Sequence, residues 1–224
     1  MEKLKETDII YEDNHLIVVH KKPGIPVCED ESHDKDLLTI LKEYLKEKYH
    51  KPGNVYLGLV HRLDRPTEGI IVFAKTSKAA SRLSKQIQDN TFKKTYYAVI
   101  EGKPKNKDEL IDYLVKDEKT NKSYITEKDK GKLATLTYEL INSVNNLSLV
   151  KINLKTGRHH QIRVQFSSRN MPLYADHKYN KNIKKDDKND IALIAKEISF
   201  YHPTTKALLH FEIDLPKKYP YTLF

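Results

Sequence analysis

The stretch Leu59-Val60-His61-Arg62-Leu63-Asp64-Arg65-Pro66-Thr67-Glu68-Gly69-Ile70-Ile71-Val72-Phe73-Ala74-Lys75-Thr76 decides how this chain is read. Apolar, strand-like runs flank a polar loop, His61 to Glu68, and the loop sets one carboxylate, Asp64, between two arginines. Arginine is scarce elsewhere. Of 40 basic residues only those at 62, 65, 82, 158, 163 and 169 are Arg, and five of these fall within 62–65 and 158–169. Arginine differs from lysine in its planar, bidentate fork, so these two segments are where a carboxylate or phosphate is expected to be held in fixed geometry. Asp64 has two readings by position: a turn-former capping a loop amide, or a catalytic carboxylate on a loop carried by a rigid scaffold. The arginines favour the second, because a neighbouring cation favours the charged form that a nucleophile or base needs.

Working outward, 224 residues suffice for a substantial core. Content of 38% apolar and 32% charged residues fits a soluble globular protein. The longest apolar runs, Leu16–Val19 and Gly69–Ala74, are strand-sized, so no membrane span is expected. The start, Met1 to Glu6, alternates charge and lacks the apolar region of a signal peptide. Cys28 is the only cysteine, which excludes an internal disulfide and makes a cytoplasmic setting the default. A net charge of +9 permits a polyanionic partner without requiring one.

Strands are expected at 9–12 and 16–20 about the turn Asp13-Asn14, then at 55–60 and 69–75 on either side of the polar loop. Leu37, Ile40, Leu41, Tyr44 and Leu45 carry helical spacing within 36–49, ended by Lys51-Pro52-Gly53. A second helix starts at Ser77 as cap, with Ala80, Leu83 and Ile87 inward. Further strands fall at 95–100, 134–142, 148–154, 191–200 and 207–215. The segment 101–132, nearly balanced in charge, reads as a solvated surface excursion, and 178–190 as a polar loop. Thr156-Gly157 opens a helix over 159–168 with His159 and Arg163 on one face, a turn suited to receiving phosphate; the plain alternative is an ordinary solvated helix face. Tyr96 and Tyr97 point to opposite faces of their strand, one into the core and the other available for base stacking. The whole reads as α+β, with a large, mostly antiparallel mixed sheet and flanking helices.

Phosphate loops of the Gly-x-x-x-x-Gly-Lys type, the Gly-x-Gly-x-x-Gly and Gly-x-Ser-x-Gly motifs, His-Glu-x-x-His and paired-cysteine spacings are all missing from the sequence. His159 and His160, being adjacent, are poorly placed to share a metal.

Three segments together resemble the RluA family of RNA pseudouridine synthases: His61–Gly69 resembles its His-Arg-Leu-Asp-x-x-Thr-Ser-Gly loop, Lys94–Ile100 its Lys-x-Tyr-x-Ala-x-Val strand, and Thr156–Val164 its Thr-Gly-Arg-x-His-Gln-Ile-Arg-Val segment. The closing Phe200-Tyr201-His202-Pro203-Thr204 matches as well, so the resemblance runs from about residue 9 to 215. It implies a pseudouridine-synthase-like catalytic domain with a central cleft, one domain over 1–224, without a separate N-terminal S4 domain. Asp64 would be the catalytic aspartate. Arg163 would pair with it, keeping it ionised and oriented, and Tyr96 would stack on the target uracil and assist the proton step at C5. Arg62 would fill the RNA stack left by a flipped nucleotide, with His61, Arg65 and Arg158 also on the substrate. The partner would be ribosomal or transfer RNA, with no membrane partner, metal or other cofactor, and the protein a monomer. The alternative is an RNA-binding assembly or folding factor on the same scaffold. This chain departs from the family pattern at Glu68, in place of Ser or Gly, and in Asn170-Met171-Pro172-Leu173-Tyr174-Ala175-Asp176, where Gly-x-Pro-Ile-x-Gly-Asp loses both glycines.

Overall fold

The computed structural model describes residues 8–184 and 188–224; the charge-alternating start and residues 185–187 of the polar loop lie outside them. The chain forms two compact units, one from residues up to 93 with 197–213, the other from 94–196 with 214–224.

In the first unit, β1 (Ile9–Glu12) and β2 (Leu16–Lys21) form a hairpin whose turn is closed by Asp13, which accepts the backbone N–H groups of His15 and Leu16 at 2.7 Å each. Helix α1 (Leu37–Lys48) follows, its first turn capped by Asp36, which accepts the Thr39 N–H at 3.0 Å. Leu37, Leu41 and Leu45 form its buried stripe, as the spacing predicts. The strand expected at 55–60 shortens to β3 (Gly58–Leu59), antiparallel to β4 (Glu68–Ala74). Helix α2 (Ser77–Gln88) is capped by Thr76, not Ser77, and turns Ala79 and Leu83 into the core. Two later strands, β10 (Leu193–Tyr201) and β11 (Leu208–Glu212), complete the unit through residues 197–212, giving the order β1-β2-β4-β10 with β11 on β10 and β3 on β4. Leu16, Val18, Ile70, Val72, Leu83, Phe92, Ile198 and Phe200 make one apolar cluster, with Phe92 and Phe200 stacked at 5.0 Å.

The second unit pairs β5 (Lys93–Glu101), β9 (Leu147–Leu154), β8 (Lys132–Val144), β6 (Lys107–Asp117) and β7 (Lys122–Thr126) in that order, all antiparallel. The excursion expected over 101–132 is therefore two ordered strands. Alternation is visible there in hindsight: Leu110 and Leu114 face inward while Ile111 and Val115 are exposed. Helix α3 (Gln161–Ser167) starts two residues later than expected, after His160 in a left-handed conformation. It has no solvated face: Gln161 to Phe166 are all buried. A short 3-10 turn, Tyr221–Leu223, ends the chain. Among the described residues no helix is long and apolar enough to cross a membrane. The α+β class and the antiparallel character of the pairings agree with the sequence reading.

Candidate active site

Asp64 lies half-buried in the loop between β3 and β4, and its carbonyl accepts the Thr67 N–H at 2.9 Å, closing a tight turn. The next carbonyl, that of Arg65, is fixed twice: by the Gly24 N–H at 2.9 Å and by Lys21 Nζ at 2.9 Å. Gly69 ends the loop with a φ of 134°, a conformation closed to residues with a Cβ.

Lys21 is the residue that sequence reasoning missed. It ends β2, is 1% exposed, and donates to the carbonyls of Lys22 and Arg65. Burial pulls its pKa from 10.5 to about 7, against the opposing pull of the Asp64 and Glu68 carboxylates. A signal existed: Lys21 continues the inward alternation of Ile17 and Val19, so its place on β2 is a core place. Beside it, Glu68 Oε1 meets His20 Nε2 at 2.9 Å, so the carboxylate that departs from the family pattern is engaged in tying β4 to β2.

The residues expected to hold substrate in this unit divide. Arg62 is exposed. Arg65 is latched internally, Nε to the Gly24 carbonyl at 2.9 Å, Nη1 to Ser32 Oγ at 2.8 Å and Nη2 to Asp34. His61 Nε2 accepts the Val72 N–H at 3.2 Å, taking up a β4 donor just past the point where β3 ends, and its ring lies 5.4 Å from Phe92. A ring that accepts there carries its proton on Nδ1.

In the second unit, Tyr96 is 6% exposed and pairs across β5–β9 with Ile152. Tyr97, on the opposite face, is half-buried with Lys196 Nζ at 5.3 Å and Lys151 Nζ at 5.7 Å from its ring. Arg163 is held from α3 by Asp176, Nε to Oδ2 at 2.9 Å and Nη2 to Oδ1 at 2.7 Å, while the Tyr179 ring lies 5.2 Å from its guanidinium carbon. Asp176 Oδ1 also accepts the backbone N–H of Lys178 and Tyr179, which fixes the carboxylate in turn. His160 Nδ1 and the Tyr179 hydroxyl share a hydrogen bond of 2.7 Å; burial, then the charge of Arg163, pushes the ring's pKa down to about 2, so it is neutral. His159 stacks on it at 3.7 Å and meets Ser123. Both histidines thus brace the turn into α3. Arg158 is exposed, with Nε donating to the Leu133 carbonyl at 2.8 Å.

The loop that lost two glycines keeps the backbone glycine favours. Asn170 has φ 57° and Ala175 φ 55°, both left-handed. Asn tolerates this region; Ala does so only under strain, and Ala175 immediately precedes the Asp176 that holds Arg163.

A carboxylate on a doubly fixed loop, an aromatic ring on a strand and a clamped guanidinium are parts suited to chemistry on a nucleotide. The family model for RNA pseudouridylate synthase matches residues 15–168. An uncharacterized RNA pseudouridine synthase of Bacillus subtilis is 34% identical over 214 residues, covering 94% of this chain and 69% of that protein. A ribosomal large subunit pseudouridine synthase D of Zymomonas mobilis is 31% identical over 220 residues, with 94% and 69% covered. The solved human RNA pseudouridylate synthase domain-containing protein 4 superposes with a TM-score of 0.78 at 21% identity, covering 94% of this chain and 89% of that one, which supports the fold. This chain belongs to the RNA pseudouridylate synthase family, of the RluA type, and is an enzyme of the isomerase class.

Proposed function

We propose that the protein converts specific uridines of a structured ribosomal or transfer RNA to pseudouridine, acting as a single catalytic domain in the cytoplasm. The reaction breaks the N1–C1′ bond, turns the uracil, and joins C5 to C1′; the proton on C5 is lost and N1 regains one, so nothing is consumed. A base stacked in a helix cannot make that turn. The nucleotide must first leave the stack, at a cost of roughly a few kcal/mol.

The observation that carries this reading is the Asp64 loop, fixed at the Arg65 carbonyl by Lys21 and Gly24, in a member of this family. Asp64 attacks C1′ or takes a ribose proton, Tyr96 stacks on the uracil and assists at C5, and Arg163 orients Asp64 on the Asp176 clamp. Arg62, exposed on the loop, enters the stack vacated by the target. His61 and Arg65 act on substrate through the loop shape they hold, and Arg158 through its exposed guanidinium. This reading assigns no metal or other cofactor to these steps.

Tritium release from RNA labelled at uridine C5 tests the reading. The wild-type protein releases tritium from its substrate RNA, and Asp64→Asn binds that RNA without releasing any. Release by Asp64→Asn at the wild-type rate would remove Asp64 from the mechanism.

A further inference from the structure

Among the described residues, Lys21, Lys75 and Lys94 are drawn back from solvent, and they differ in what meets their ammonium groups. Lys21 donates to two carbonyls, and Lys75 pairs with Glu12 at 2.7 Å. Lys94, at the start of β5, is half-buried, and among the described residues its ammonium has no carboxylate, carbonyl or hydroxyl partner. Burial alone lowers its pKa. An unpaired cation removed from water is costly, and such a group persists where it has work to do on a ligand.

Its surroundings indicate the ligand. Lys94 Nζ abuts the turn before α3: a Cβ placed on Gly157 would lie 3.2 Å from it. Gly157 has an ordinary backbone conformation, and its lack of a side chain leaves the Lys94 ammonium directly against the turn. Gly157 is exposed, and among the described residues its N–H has no protein acceptor. The next residue, Arg158, spends Nε on Leu133 and has no protein partner for its two Nη groups among the described residues. An ammonium, a backbone donor and a guanidinium therefore adjoin one open turn, and no carboxylate is paired with either cation.

We infer that Lys94, the Gly157 backbone and Arg158 form an anion site that grips one phosphodiester of the bound RNA. The site rests on the RNA reading above and adds to it a fixed point for the chain. Lys94 and Tyr96 lie two residues apart on β5, so their side chains share a face about 7 Å apart along the strand. That is the reach between a nucleobase and a phosphate of its own or the neighbouring nucleotide. The site thus sets the register of the backbone for a base placed at Tyr96.

The test uses the full chain and a fluorescently labelled RNA hairpin with a uridine-rich loop, its affinity measured across a potassium chloride series. Removing one phosphate contact lowers the slope of log K against log salt by about 0.7 to 1. Lys94→Met is expected to show that loss with binding weakened on the order of ten-fold at low salt, and Arg158→Gln, an exposed change, a similar one. Lys94→Met should also melt no lower than wild type without RNA, because it removes an unpaired desolvated charge. A wild-type slope in either variant overturns the site, as does a Lys94→Met protein that melts lower, which would mark Lys94 as a structural residue. Wild-type protein with no salt-dependent affinity for RNA would overturn the RNA reading itself, and this site with it.

Discussion

Asp176 grips Arg163 through both carboxylate oxygens, at 2.9 and 2.7 Å, in a pair whose side chains are 0% and 4% exposed. The pair is more than a brace for α3. An arginine without this clamp would swing among rotamers, and the clamp leaves it one orientation. Asp176→Ala removes one partner of a buried pair and strands the other charge. It should cost about 3–5 kcal/mol of stability, read by urea unfolding, and lower turnover steeply at temperatures where the variant is still folded. An Asp176→Ala protein of wild-type stability would mean that the pair is not a structural constraint.

Ala175 offers a test in the opposite direction. Its φ of 55° is strained for a residue with a Cβ and free for glycine. Ala175→Gly should stabilise the protein by about 1 kcal/mol, less what glycine costs in the unfolded chain. Asn170→Gly, at φ 57°, should change little, because asparagine already tolerates this conformation. Thermal midpoints of the two variants measure the difference; equal shifts would contradict the strain assigned to Ala175.

Lys21 makes stability depend on pH with a definite sign. Its folded pKa of about 7 lies below the ordinary lysine value of 10.5. Below pH 7 both folded and unfolded chains hold the proton, and the full penalty of burying the charge applies. Between about 7 and 10.5 the unfolded chain binds the proton and the folded chain does not, so this group's contribution to stability rises with pH across that window. Lys21→Met removes that rise. The difference in unfolding free energy between wild type and variant, followed from pH 6 to 10, should climb by a few kcal/mol in favour of wild type. A pH-independent difference would show that the buried ammonium does not titrate in this range.

Tyr96→Phe separates two roles assigned to one side chain. The ring remains for stacking and the hydroxyl is lost, so RNA affinity should stay within a few-fold. Single-turnover conversion should fall by about 100-fold or more, the scale of a lost acid–base group. Conversion at the wild-type rate would restrict Tyr96 to stacking.

Much of this was legible in the chain. The helical spacing of Leu37, Leu41 and Leu45 fixes α1, and the apolar run ending at Ala74 fixes β4. What escaped was set by tertiary contacts. β6 and β7 carry so many charges that their alternation is hidden among them, because one face of this part of the sheet meets solvent. In α3 the His159–Arg163 pairing read as a solvated face, yet Gln161, Arg163 and Gln165 are all buried, Arg163 on Asp176 and Gln165 Nε2 on Asp112 and the Leu110 and Ala134 carbonyls. Local pattern cannot reveal partners that lie many residues away. In the same way, the arginines near Asp64 drew notice by their rarity, while the lysine that fixes its loop was one among many.

The most direct measurement is a pseudouridine map of total RNA from cells that contain the protein, lack it, or carry only Asp64→Asn. Uridine isomerisation by Asp64 requires the same discrete sites to vanish from both altered strains, and those sites identify the substrate RNA. Sites that persist with Asp64→Asn, or that vanish in neither strain while only the deletion impairs growth, would contradict it and leave an RNA-binding factor on the same scaffold.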